Sequence, residues 1–347
     1  MKYGDRAAST RQRLMQYCDF LQFHGISVDA VPLLDNTYVE SLARRKKSSR
    51  LRLISSYWAR LRLLLSARNY DVIWLHYEAF PYLPSFMERL VFFAGVPVVY
   101  DFDDAIFHQY DNHNNLLVRA LLGGKLKPLL RRVSVSFCGN AYLKDYSERF
   151  CNNSVILPTV VDTDVYRAVP NTSTPRSLTI GWIGSPSTWQ QLRPIVPLLV
   201  RMKDELNLRI RVVGAGYVNE DFAAVDFVDW SEDTEVSEIQ RMDIGIMPLP
   251  DEPWARGKCG YKLIQYMACG LPVIASPVGV NSEIVEHGVN GFLATTEQEW
   301  RAALTKLIGD PDLRRRMGDA GRAKVDAEFS LRVHAPRLVE ILKSVAG

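Results

Sequence analysis

The sequence predicts an α/β protein of two doubly wound domains, on three observations. Apolar runs of strand length alternate with amphipathic helical patterns along the chain, the pattern of parallel strands joined by crossover helices. The 347 residues exceed what one core ordinarily serves and suit two domains. The polar segment RAVPNTSTPRS (167–177), with two prolines, breaks the alternation between the halves. The expected division is a first domain over 1–168, a linker over 169–177 and a second domain over 178–329. A helix over 330–347 is expected to return towards the first domain.

Taken in order, the first half is expected to hold strands at Ile26–Val31, Asp71–His76, Val96–Tyr100, Val133–Cys138 and Val155–Leu157. The second is expected to hold them at Leu178–Ile183, Leu208–Val213, Ile244–Pro248, Pro272–Ala275 and Gly291–Ala294. Apolar residues at helical spacing place helices at Gln12–Phe23, Tyr82–Phe93, Leu192–Glu205 and Tyr261–Cys269. A domain of this class ordinarily starts with a buried strand feeding a glycine turn and a helix. Here the chain opens on the turn, Gly4-Asp5, and a helix from Ala8, leaving only Met1–Tyr3 for that strand. The first strand is therefore expected to be missing or truncated, with the native start upstream of Met1. Two such domains leave a cleft between the carboxyl ends of their strands, where ligands bind in open α/β sheets.

Composition narrows the function. An apolar fraction of 47% and a charged fraction of 23% are those of a soluble globular protein. No apolar run approaches the ~20 residues of a membrane span, and MKYGDRAASTRQRL has no apolar leader core. Five cysteines without C-x-x-C spacing read as reduced thiols of a cytoplasmic protein, with neither a disulfide framework nor a zinc site. Residues 1–170 carry 22 basic against 16 acidic groups, and 171–347 carry 20 against 23. The basic excess is local. Residues 43–68 hold nine basic groups and no acid, with Leu51, Leu53, Ile54, Trp58, Leu61 and Leu65 interleaved, and 116–134 hold five and no acid. Such stretches either lie on anionic lipid or pack their apolar face on the sheet. The small net charge and the lack of a recognition motif argue against nucleic acid.

The candidate chemistry sits at strand ends. In LTIGWIGSPST (178–188), Gly184 and Ser185 open a turn whose N–H groups and hydroxyls suit phosphate, or which is simply a capped strand-to-helix turn. RVVGAGYVNEDF (211–222) has Gly214 and Gly216 after a strand, but Asn219 stands at the third glycine position, so a dinucleotide fingerprint is weak. In VVYDFDDAIF (98–107), Asp101, Asp103 and Asp104 fit either a diphosphate-bound metal or, as preferred without a nearby His or Glu, capping and sugar hydroxyls. His76 and Glu78 end another strand, as packed residues or as part of the cleft. Asn140 and Asp162 follow strands too, and either can be a cap. Asn281 and Glu283 start a helix able to hold hydroxyls or an anion, unless Glu283 only faces the helix dipole.

The stretch KLIQYMACGLPVIASPVGVNSEIVEHGVNGFLA resembles the signature of the family-four glycosyltransferases. The likeness is strong from Ile180 to Phe329 and looser through SVDAVPLL, VVYDFDDAIF, GNAYL and PTVVDTDVY. The resemblance implies a GT-B fold of two Rossmann-like domains and a retaining transfer, without metal or resident cofactor. The donor would be a UDP-, GDP- or dTDP-linked sugar held by the second domain. The acceptor would be a glycan or lipid-linked molecule held by the first, in polysaccharide or glycolipid synthesis on the inner face of the plasma membrane. Other readings are a non-catalytic nucleotide-sugar-binding subunit and a nucleotide-sugar epimerase or hydrolase.

The family carries two glutamates eight positions apart, the first at the transferred sugar and the second at the donor ribose. Here they fall on Gly257 and Gln265. Gln265 can still bond ribose hydroxyls, whereas Gly257 offers only backbone. The family's basic residues near the first C-domain loop are absent, which makes Arg256, Lys258 and Lys262 the candidates for neutralising the diphosphate. Lys258 is favoured, and Lys262 has the alternative of lying along the helix surface. The family's histidine near the reacting sugar falls on Asp101, so Asp101 and Lys258 are the expected catalytic pair. Gly184, Ser185, Arg256, Gly257, Lys262, Gln265, Asn281 and Glu283 are expected at the donor. Gly4, Arg11, His76, Glu78, Asp103, Asn140 and Asp162 are expected at the acceptor or cleft.

Overall fold

The computed structural model describes residues 1–43, 49–168, 177–218 and 222–347. The basic run 44–47 and all but the last residue of the expected linker lie outside the described residues. The chain forms two compact units. One comprises Met1–Thr159, Glu252–Cys259 and His334–Gly347, and the other Val160–Asp251 and Gly260–Val333.

The first unit is built on four parallel strands in sequence order, β1 (Ile73–His76), β2 (Val98–Phe102), β3 (Val135–Cys138) and β4 (Ser154–Ile156). Residues 98–102 and 135–138 are buried throughout, as expected of central parallel strands covered on both faces. Leu75, Val98, Tyr100, Phe102, Leu129 and Leu130 are core members. Ile26–Val31 forms no strand, because Val28 and Val31 are exposed. The buried pair Leu33–Leu34 lies against Met1–Gly4 instead, with a parallel bridge between Tyr3 and Leu34. The expected helix Gln12–Phe23 is broken at Leu14 into Ala8–Arg13, a 3-10 turn Met15–Tyr17 and Cys18–Phe23. The break lets Arg13, Leu14, Tyr17 and Leu21 all face inward.

The second unit holds six parallel strands, β5 (Thr179–Ile183), β6 (Arg209–Val213), β7 (Val225–Val228), β8 (Ile244–Met247), β9 (Val273–Ala275) and β10 (Gly291–Leu293). Their order is β10-β9-β8-β5-β6-β7. The chain thus runs outward from β5 to β7 and returns to β8 on the other side of β5, which makes the β5/β8 boundary the topological switch point. Strand β7 was not expected. It is a short edge strand with two exposed residues, too brief for its alternation to register. Trp182, Trp189, Leu199, Met202, Ile244 and Leu304 anchor the core. The helix Tyr261–Ala268 lies on the switch point through Tyr266, whose hydroxyl accepts the Ile183 N–H at 2.8 Å. Gly245 makes room for that ring, since a Cβ there would stand 2.4 Å from it. No described helix is long and apolar enough to cross a membrane.

Candidate functional site

In the second unit the polar groups gather at the carboxyl ends of β5, β8 and β9. The turn after β5 is drawn tight: Gly184 N–H donates to Val213 O, and Ser185 N–H to the Thr188 hydroxyl at 2.9 Å. These two N–H groups, in a turn expected to suit phosphate, are engaged within the fold, and the Ser185 hydroxyl lies 2.9 Å from that of Ser187. Gly184 is required, because a Cβ would meet the Trp182 ring at 2.3 Å. Lys262 extends over that same indole, its Nζ 5.5 Å from the ring centroid. A positive charge is thereby carried to the end of β5. Asn281 is buried; its Nδ2 donates to Ser276 O at 3.1 Å, and its Oδ1 has no partner. Glu283, on the same four-residue helix, is exposed.

Gln265 is buried in the same helix as Lys262. Its amide donates to Glu235 Oε1 at 2.8 Å and to the Tyr166 hydroxyl at 3.1 Å. Tyr166 also donates to Glu235, and Trp230 Nε1 donates to the other carboxylate oxygen at 2.5 Å. The Tyr261 hydroxyl lies 3.2 Å from that of Tyr166. Burial and the neighbouring Glu235 push the Tyr166 hydroxyl well above its ordinary range. Asp162, placed in the cleft by sequence, makes a turn instead, its carboxylate accepting the Asp164 N–H at 2.8 Å.

The first unit's polar cluster lies at the ends of β1 and β2. Asp101 is fully buried. Its carboxylate accepts from Arg13 at 3.1 and 2.5 Å and from Trp74 Nε1 at 3.1 Å. Arg13, itself buried, also donates to Leu157 O. Asp103 accepts from the Tyr77 hydroxyl and lies 3.6 Å from His76 Nε2. Burial pushes the Asp103 carboxyl up, but His76, Arg13 and Tyr77 outweigh it and hold its pKa at about 2. His76 is fully buried, stacked on Tyr77 at 4.0 Å, with neither ring nitrogen hydrogen-bonded. Tyr77 adopts φ 65°, a conformation that costs a non-glycine residue ~1–3 kcal/mol and is concentrated at functional sites.

Lys258 belongs to this unit, its Nζ 3.5 Å from Asp104 Oδ1. Burial opposes its charge, Asp104, Cys259 and Asp103 together outweigh that, and its pKa lies above the ordinary value. Asn140 caps the helix Ala141–Glu148 through Leu143 N–H and donates to Lys258 O at 2.9 Å. Gly257 packs on Ala105, where a Cβ would stand 2.4 Å from the Ala105 Cβ and 2.9 Å from its nitrogen. The backbone there is closed to a side chain. Arg256 is exposed.

Glu78 is fully buried, bonded by Lys2 at 3.1 Å, Lys125 at 2.9 Å and the Tyr110 hydroxyl at 2.5 Å. Burial raises its pKa less than the two lysines lower it. Its carboxylate is committed to the core. Gly4 and Arg11 shape the first turn: Gly4 N–H donates to Leu34 O, and Arg11 Nη1 to Asp5 O and Arg6 O.

Sequence reading missed Arg13, Tyr77, Tyr166, Trp230 and Glu235. Their side-chain hydrogen-bond partners lie 26 to 99 residues away except for Trp230 and Glu235, five apart, so spacing gave no signal. Among the described residues no three His, Cys, Asp or Glu side chains are grouped as metal ligands, and all five cysteines are free of disulfides.

Residues 177–310 match the family described as Glycosyl transferases group 1. The GDP-mannose-dependent monoacylated alpha-(1-6)-phosphatidylinositol monomannoside mannosyltransferase of Corynebacterium glutamicum is 36% identical over 86 residues, 24% of this chain and 23% of that protein. The match spans about a fifth to a quarter of the length of the curated relatives. Among solved structures, Anabaena HepE in complex with UDP and glucose aligns with TM-score 0.67 and 18% identity, over 94% of this chain and 88% of that one. A glycosyltransferase from Rickettsia africae aligns with TM-score 0.68 and 16% identity, over 99% and 97%. These likenesses show the fold: two parallel α/β sheets of the GT-B class.

Proposed function

We propose that the protein transfers a sugar from a nucleoside-diphosphate sugar to an acceptor, because residues 177–310 match the group 1 glycosyl transferases and the chain has a GT-B fold. The observation that carries this reading is the family match over the very segment that holds the switch point, with Lys262 at the end of β5. The second unit binds the donor. Lys262 faces the diphosphate, and Asn281, whose Oδ1 is buried and unpartnered, accepts from a donor hydroxyl. Positive charge fixed near a departing diphosphate stabilises the transition state more than the ground state. The reaction needs no metal on this reading and retains anomeric configuration. UDP and GDP are the donor groups named for relatives, in the HepE complex and in the Corynebacterium enzyme respectively.

The first unit receives the acceptor. Asp104, partly exposed and paired with Lys258, orients an acceptor hydroxyl, with Asp103 behind it. Asp101 has a supporting role, because Arg13 occupies its carboxylate out of reach of solvent. A glycan or lipid-linked acceptor fits the helix Arg50–Leu65, which exposes Leu51, Ile54, Trp58 and Leu65 beside Arg50, Arg52 and Arg62 and carries no acid. Leu116, Leu117 and Leu121 are exposed beside Arg119 in the same way. Both surfaces suit anionic lipid.

A thermal-shift screen across UDP-, GDP- and dTDP-sugars tests the donor half. Ligand at about a hundredfold its Kd adds about 2.7 kcal/mol to native-state stability, and one class should raise Tm while Lys262→Ala abolishes the rise. No shift with any class would remove the donor assignment. Binding without turnover would favour a non-catalytic nucleotide-sugar-binding subunit.

A further inference from the structure

Beyond the carboxyl ends of β2 and β3, three side chains of the first unit form a hydrogen-bonded relay separate from the Asp101–Asp103 cluster. His108 begins the helix His108–Asp111, and Tyr142 stands two residues past Asn140, the cap of the helix Ala141–Glu148. His108 Nδ1 lies 2.8 Å from Asp111 Oδ1, and Nε2 lies 2.8 Å from the Tyr142 hydroxyl. An ionised carboxylate only accepts, so Nδ1 carries a proton; the Asn112 amide, 3.3 Å from the same nitrogen, is the weaker contact. In a neutral ring Nε2 is then a lone pair, and Tyr142 donates its O–H to it. The phenol oxygen is left with lone pairs for an incoming donor. An acid that orients a histidine drawing on a hydroxyl is a recurrent device for moving protons at a substrate.

The relay is also reachable. The His108 side chain is 13% exposed and that of Asp111 36%, and Tyr142 is half-buried, whereas Asp101 and Glu78 are fully buried. It adjoins the proposed acceptor site through short links: Asp104 stands four residues before His108, and Lys258 is bonded to both Asp104 and Asn140. Burial, with Asp111, raises the Tyr142 hydroxyl above its ordinary value against Arg256 and Arg149, so the phenol keeps its proton until the imidazole takes it.

We propose that Tyr142 takes the proton of the reacting acceptor hydroxyl while handing its own to His108, with Asp111 holding the imidazolium. This rests on the reading that the first unit receives the acceptor of a sugar transfer. The acceptor O–H proton passes to Tyr142 Oη as the Tyr142 proton passes to His108 Nε2. The electron pair so freed bonds the acceptor oxygen to the anomeric carbon, and the diphosphate departs with the pair of the bond that breaks. His108 then releases its extra proton to solvent. Tyr142 touches the acceptor and is the catalytic residue; His108 and Asp111 act through it as positioning residues.

The test measures acceptor-dependent nucleotide release, with UDP-glucose, GDP-mannose and dTDP-glucose as donors and octyl glucoside and octyl mannoside as acceptor probes. Tyr142→Phe should lower kcat by about a hundredfold or more, the scale of a positioned acid–base group, and leave the acceptor KM within about threefold. His108→Gln keeps an acceptor for the Tyr142 hydroxyl but takes up no proton, so it should lose kcat in the same way. A role in orientation alone would leave His108→Gln near wild type. Asp111→Asn should lower kcat by about tenfold or more, and Asp111→Glu should recover part of that loss. Circular dichroism checks the fold, and His108→Gln carries the test if Tyr142→Phe does not fold. A folded Tyr142→Phe or His108→Gln protein with kcat within about threefold of wild type overturns the proposal, as does a loss confined to KM. If wild-type protein turns over none of the donors, the transfer reading fails and the proposal fails with it.

Discussion

Replacing Arg13 with Met separates a structural from a chemical role for Asp101. Arg13 contributes two hydrogen bonds to Asp101 and one to Leu157 O, and both ionic side chains are at most 1% exposed. Methionine keeps most of the volume and removes the charge, leaving a buried carboxylate with Trp74 as its remaining donor. Removing one partner of a buried ion pair costs about 3–5 kcal/mol. For a unit of this size each kcal/mol lowers Tm by about 2–4 °C, so a fall of roughly 6–20 °C is expected in a calorimetric scan. Arg13→Met/Asp101→Leu removes both charges and should recover most of that loss, since apolar replacements of buried pairs are often neutral. A Tm within about 2 °C of wild type for the single variant would show that the pair contributes little to stability. A double variant no more stable than the single one would show that the loss does not come from the stranded Asp101 charge.

Gly257→Ala should destabilise by about 1–3 kcal/mol in urea unfolding, because its Cβ meets the Ala105 backbone rather than a flexible side chain; an unchanged midpoint would show that the backbone yields freely. Asp103 is held at about 2 against an ordinary 3.8, so its contribution to stability is present above pH 3.8 and lost as pH falls towards 2. That contribution is about 2 kcal/mol, and Asp103→Asn should flatten the acid limb of Tm against pH, whereas a parallel acid limb would contradict the assignment. Leu51→Ser/Trp58→Ser/Leu65→Ser should weaken co-sedimentation with phosphatidylglycerol vesicles by about tenfold or more. Undiminished binding would remove that helix as a lipid contact.

The architecture was legible because parallel strands buried on both faces write themselves as continuous apolar runs. Strands β1–β6 and β8–β10 fall within a few residues of expectation. What failed was marginal in burial: the half-exposed edge strand Val225–Val228, and Ile26–Val31, where an apolar pattern lies exposed. The site was less legible, since its meaning depends on partners distant in sequence. Asp101 reads as an open acid until Arg13, 88 residues earlier, is brought against it. Gln265 reads as a lost acid until Glu235 stands beside it. Lys258 and Lys262 are one helical turn apart in number, yet Gly260 between them takes φ 68° and turns the chain, so Lys258 pairs with Asp104 while Lys262 lies over Trp182.

Sugar transfer from a nucleoside-diphosphate donor is read out by nucleotide release measured with and without acceptor. Purified protein would be given UDP-, GDP- and dTDP-sugars in turn, with lipid-linked and free glycan acceptors. Release is expected with one nucleotide class, dependent on acceptor and matched by a glycosylated product of retained configuration. Release at the same rate without acceptor would make the protein a hydrolase, and no release from any bound donor would rule out the transfer reaction.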